Sequence, residues 1–93
     1  MISVKAALAV MLQQRRQIHG WSQTVLAERL GSGQSRIAKI EAAHPSVSLD
    51  LLMKALLVAG ATMPDIGAVM ATGDPNAEAS GKRATAKRRQ RNA

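Results

Sequence analysis

The sequence predicts an all-α fold: a bundle of about five short helices followed by a disordered C-terminal tail. Three observations point to it. Apolar residues recur at helical spacing, and no stretch alternates apolar and polar residues as a half-buried strand would. The core must come from Leu, Ile, Val, Met and Ala, because Trp21 is the only Phe, Tyr or Trp in the 93-residue chain. From about Thr72 the sequence TGDPNAEASGKRATAKRRQRNA holds no Leu, Ile, Val, Met or aromatic residue. Such a segment buries too little apolar surface to offset the entropy of ordering it.

The first helix is expected over roughly Val4 to His19, where Val4, Leu8, Met11, Leu12 and Ile18 fall near helical spacing, with Gly20 as a left-handed cap. The second lies in WSQTVLAERL. Ser22 suits its N-cap, Trp21 and Leu26 stand at the spacing of a hydrophobic staple, and Leu26, Ala27 and Leu30 form its inner face. Gly31-Ser32-Gly33 break it, and a third helix runs from about Gln34 to Ala42. After Pro45, Ser48 caps a fourth helix, LDLLMKALLVA, that closes at Gly60. A fifth is signalled by TMPDIGAVM, in which Thr62 and Asp65 have capping-box spacing and Pro64 sits in a tolerant first turn. About 70 residues are enough for one modest core.

Charge and composition narrow the function. Thirteen Lys and Arg against six Asp and Glu give a net charge of +7, an excess that suits a polyanion. Six of the basic residues (Lys82, Arg83, Lys87, Arg88, Arg89 and Arg91) lie in the tail, so the tail carries more of the excess than the body. The absence of cysteine removes disulfides, thiol catalysis and Cys-ligated zinc, and fits a reducing cytoplasm. No apolar run approaches the ~18 residues of a membrane span, and the N-terminal charges follow the apolar part, so neither a signal peptide nor a membrane partner is expected. One tryptophan cannot build a stacking platform for RNA bases.

The third helix is the most informative stretch. At 100° per residue, Ile37, Ile40 and Glu41 share one side, while Ser35, Ala38, Lys39 and Ala42 lie opposite, flanked by Gln34 and Arg36. Small Ala38 and Ala42 would let such a helix seat deeply in a DNA major groove. Gln34 is suited to adenine, Arg36 or Lys39 to guanine or phosphate, and Ser35 to either. The alternative is an ordinary solvated helix face. Two short helices joined by a glycine-containing turn, with Ala27 permitting close crossing, form the helix-turn-helix pattern.

At this point the sequence resembles the Xre family of bacterial and phage regulators, the lambda-repressor-like domains. The matching residues are Arg16, Gly20, Ser22-Gln23, Leu26-Ala27, Leu30-Gly31, GQS at Gly33 to Ser35, Ile37 and Ile40-Glu41, within a stretch from about Leu8 to Met70. Together with the change of composition at Thr72, the resemblance implies a lambda-repressor-like helix-turn-helix domain over residues 1–71, and the composition itself a disordered basic tail over residues 72–93. It implies a backbone-phosphate contact for Gln23, base reading by Gln34, Ser35 and Arg36, a base or phosphate contact for Lys39, and a structural ion pair between Arg16 and Glu41. Two positions depart from the family pattern. Gly33 replaces the commoner serine or threonine cap, and EAAHPS lacks the glycine that usually follows the glutamate.

The expected function is a sequence-specific repressor binding double-stranded DNA at a palindromic operator as a homodimer, in the cytoplasm and without a cofactor. An antitoxin that neutralises a toxin protein and autorepresses its operon is the alternative, because compact Xre-type antitoxins resemble this chain in size and in HPSVSLDLLMKALL. A third reading is sequence-indifferent nucleoid or RNA binding through the tail. The tail itself reads as a DNA arm, a partner-binding segment or a solubilising end. No nucleophile–base pair, phosphate loop or carboxylate dyad appears, so no enzyme is expected. His19 and His44 lack partners at ligand spacing, so no metal is expected either. Trp21 reads as edge packing. Asp50 and Asp65 read as helix-capping residues. The methionines read as core filling, with Met63 and Met70 suited to a subunit contact.

Overall fold

Short polar residues start four of the helices. In the computed structural model, which describes residues 3–77, the elements are α1 (Val4–Ile18), α2 (Gln23–Leu30), α3 (Gln34–Glu41), α4 (Leu49–Val58) and α5 (Met63–Thr72). Ser3, Ser22, Ser48 and Thr62 hold extended backbone, and their hydroxyls accept from the amides of Ala6, Val25, Leu51 and Asp65. Each such cap satisfies an amide that the helix cannot reach. At α5 the Asp65 carboxylate also accepts from the Thr62 amide, completing the capping box. Only α3 starts without a side-chain cap, at Gly33.

The helix ends share a second device. After α1, α2, α3 and α4 the chain closes in a Schellman motif, for example Trp21 N–H to Arg16 C=O and His44 N–H to Lys39 C=O. The residue that turns the chain takes a left-handed conformation: Gly20, Gly31 and Gly60 in three cases, but Ala43 (φ 54°) after α3. The glycine missing from EAAHPS is therefore replaced by an alanine that adopts glycine's backbone. The side-chain clash of that region costs about 1–2 kcal/mol. Part of this is offset because glycine loosens the unfolded chain. We expect Ala43→Gly to stabilise the domain by roughly 0.5–1 kcal/mol, read from the shift of the urea midpoint. A destabilised variant would show that Ala43 makes a contact worth more than its strain.

α1 packs against α3, α4 and α5, while α2 packs against α3 and α4. Leu8, Leu12, Leu26, Ile37, Ile40, Leu52, Leu56, Ile66 and Val69 are fully buried at the centre. Ala27, also buried, lets α2 approach α3 closely.

The sequence expectation of disorder from Thr72 differs from the structure over its first residues. Thr72 ends α5, its hydroxyl bonds the Ala68 carbonyl and receives the Asp74 amide, and Ala77 packs against the core. Local hydrogen bonds and one methyl group order this stretch, and a count of large apolar residues misses both. The rest of the expected tail, with its six basic residues, lies outside the described residues.

Candidate nucleic-acid interface

Gly31 (φ 74°) closes α2 and Gly33 reopens the chain into α3, so the turn between two rigid helices is three residues long, Gly31 to Gly33. This places α3 across α2 with Ile37, Ile40 and Glu41 inward and Gln34, Ser35, Arg36 and Lys39 exposed. Ala38 is half-buried and Ala42 is exposed, so bulk on the outer face is confined to the long polar side chains. The outward face of α3 carries two cations and no acid.

The one acid of α3, Glu41, is turned inward and is 6% exposed. Arg16 on α1 holds it in a two-point ion pair, with Nε 2.6 Å from Oε2 and Nη2 3.1 Å from Oε1. A planar guanidinium suits this two-point geometry. The third guanidinium nitrogen, Nη1, donates to the Trp21 carbonyl at 2.9 Å and so ties the entry of α2 to the same arginine.

Gln23, the first residue of α2, lies half-buried between this pair and the surface. Its Nε2 donates to Glu41 Oε1 at 3.1 Å, and its Oε1 accepts from Gln34 Nε2 at 2.6 Å. Arg16, Glu41, Gln23 and Gln34 thus form one continuous hydrogen-bonded chain from the core to the first residue of α3. The family resemblance implies a single role for Gln23, a phosphate contact, and does not extend to its link with Gln34. Residue spacing carries no signal for an amide that bridges two helices.

Beside α3, Ser35, Arg36 and Lys39 line a depression of about 330 Å³ with Ser46, Val47 and Leu51. Ser46, which the sequence did not single out, sits in a loop that is held in place from two sides. Lys5 Nζ donates to the His44 carbonyl at 2.9 Å, and the Ser46 amide donates to His44 Nδ1 at 3.0 Å. His44 is thus a loop organiser. His19 also has a packing role: its Nε2 donates to the Ala59 carbonyl at 2.8 Å, and its ring stacks on Trp21 at 4.3 Å. The Arg29 guanidinium also sits over the indole, 4.3 Å from its centroid. A Cβ at Gly60 would come within 3.3 Å of His19 Nε2, so the corner admits only glycine without adjustment. Arg15 lies 3.4 Å from the buried Asp65. Among the described residues no cluster of His, Cys, Asp or Glu is arranged to hold a metal ion, and no helix is long and apolar enough to cross a membrane.

A short two-helix unit that fixes its second helix from behind and leaves glutamine, serine, arginine and lysine outward is the architecture of a helix-turn-helix DNA-binding protein. A family model described as helix-turn-helix matches residues 12–66, and the chain belongs to that family, the Xre and lambda Cro-like DNA-binding regulators. No curated protein and no solved structure matched the chain.

Proposed function

We propose that this regulator is a sequence-specific repressor that binds a palindromic operator as a homodimer. In this reading α3 enters the major groove. Gln34, Ser35 and Arg36 read base edges, Lys39 contacts base or phosphate, and Gln23 keeps one amide proton for the backbone. The observation that carries the reading is the outward face of α3, polar and cationic, with its one acid turned inward and neutralised. One such helix contacts too few base pairs to be selective. Two of them, one DNA turn (~34 Å) apart, multiply the information.

The exposed apolar residues of α4 and α5 support a second copy as partner. Leu49 (39% exposed) and Leu57 (46%) flank half-buried Met53 at four-residue spacing, and Met63 and Met70 are exposed on α5. Asp50 and Lys54, both exposed, run beside this ridge. Packing α4 antiparallel on its own copy sets Asp50 of one copy near Lys54 of the other.

The antitoxin reading draws on a different surface. Ile18 is 79% exposed and borders an open groove of about 270 Å³ with Met11, Gln14, Arg15 and Pro75 to Ala77. A toxin seated there would leave α3 free.

The test is selection of duplexes from a random pool by the full chain, followed by titration. The selected site should be a palindrome. Gln34→Ala or Arg36→Ala should cost about 1–3 kcal/mol on that site and much less on random DNA. Equal losses on both DNAs would remove α3 as the reader.

A further inference from the structure

We infer that the buried Arg16–Glu41 pair sets the hydrogen-bond polarity of Gln34, so that Arg16, Glu41 and Gln23 are positioning residues for base choice. The inference rests on the reading of α3 given above and deepens it. A carboxylate held by a guanidinium accepts hydrogen bonds and donates none. Gln23, 3.1 Å from Glu41 Oε1, must therefore present its NH2 group to it. That choice turns the Gln23 carbonyl oxygen towards α3, where it can only accept. Gln34, 2.6 Å away, must in turn present its own NH2 group. Each amide is oriented by its neighbour, and the first is oriented by a charge that cannot reverse.

What faces outward from Gln34 follows. One of its two amide protons is used on Gln23, leaving one donor beside the free Oε1 acceptor. A donor next to an acceptor matches the N7 and N6 edge of adenine. An unrestrained glutamine could rotate its amide by half a turn and offer the opposite order. The relay removes that freedom, and the interior of the domain thereby selects among bases it never touches.

Two full-length variants test this by duplex selection. Gln23→Leu breaks the relay but strands no charge, since Glu41 keeps Arg16, so its melting curve should stay close to the parent's. Its preference at the base pair read by Gln34 should flatten, by at most the roughly 5- to 150-fold that one whole bidentate base contact supplies. Preferences at the other positions should persist, while overall affinity drops uniformly through the lost phosphate contact. The double variant Arg16→Glu with Glu41→Arg reverses the pair. Gln23 would then meet a donor-only group, so both amides should invert and Gln34 should turn its NH2 outward. Selection at that position should move from adenine towards guanine, which offers two acceptors.

A Gln23→Leu protein with weaker binding but an unchanged preference at every position overturns the inference, as does a folded reversed pair that still selects the parental base. Should the reversed pair fail to fold, Arg16→Met with Glu41→Met takes its place: it removes the orienting charge but keeps Gln23, and the preference at the Gln34 position should flatten, whereas an unchanged preference overturns the inference. Gln34→Ala separates this from the underlying reading. If it too leaves every position unchanged, the failure belongs to base reading by Gln34 and takes the inference with it. If Gln34→Ala flattens one position and Gln23→Leu does not, only the relay is wrong.

Discussion

Arg16→Ala is expected to destabilise the domain by roughly 3 kcal/mol, because it strands the buried Glu41. The side chains of the pair are 15% and 3% exposed, so little solvent can reach the abandoned carboxylate. Gln23 still donates to it, which keeps the expected cost at the lower end of the range for broken buried pairs. The Trp21 carbonyl loses its donor as well. Small domains have about 5–15 kcal/mol in total, so the variant should melt at a far lower urea concentration. Replacing both partners, Arg16→Met with Glu41→Met, should recover part of the loss, since a buried pair often gains little over apolar residues of similar volume, while the Trp21 carbonyl and the Gln23 amide still lack their partners. A single-variant loss under ~0.5 kcal/mol would place the two charges in effective contact with water.

Truncation after Ala77 is expected to change salt dependence more than any point substitution. It removes six Lys and Arg but keeps Ala77, which packs against the core. Its thermal midpoint should therefore stay near that of the full chain. Each phosphate neutralised contributes ~0.9 to the slope of log affinity against log salt. If about two to four of the six cations each meet a phosphate, the slope should fall by roughly 2–4. Between 50 and 200 mM salt that spares the truncated protein roughly 16- to 250-fold of affinity loss. Base preference should not move, because phosphate contacts carry no sequence. A truncated chain with its slope intact that no longer holds a toxin protein would assign the segment to partner binding. A chain unchanged in both respects would make it a solubilising end.

The helices were largely legible in the sequence because their ends are chemically marked. Ser22, Ser48 and the Thr62–Asp65 box stand where the structure uses them, as do Gly20 and Gly60 at the turns. The cap at Ser3 and the left-handed Ala43 were not legible. A serine near a chain end has many roles, and alanine gives no sign that it will take glycine's conformation. The outward set on α3 followed from helical geometry and resemblance together. The link from Glu41 through Gln23 to Gln34 did not, since it depends on how two helices cross. The seating of Ser46 beside Arg36 was equally hidden, because the fold of the α3–α4 loop hangs on Lys5, 39 residues before His44.

Trp21 has a consequence for spectroscopy. As the only tryptophan, in a chain without tyrosine or phenylalanine, it is the sole source of intrinsic fluorescence. That emission comes from a particular corner, where the indole stacks on His19 and under Arg29, and the Trp21 carbonyl is held by Arg16. Imidazole and guanidinium neighbours make the signal sensitive to whether α1 still meets α2. Far-ultraviolet circular dichroism, by contrast, averages over the whole backbone, including the five helices of the described residues. In the parent protein the two probes should trace one transition, as a two-state unfolding requires. In Arg16→Ala both probes should still trace one transition, at lower urea, while the emission of the folded protein itself shifts, because the corner has lost its anchor.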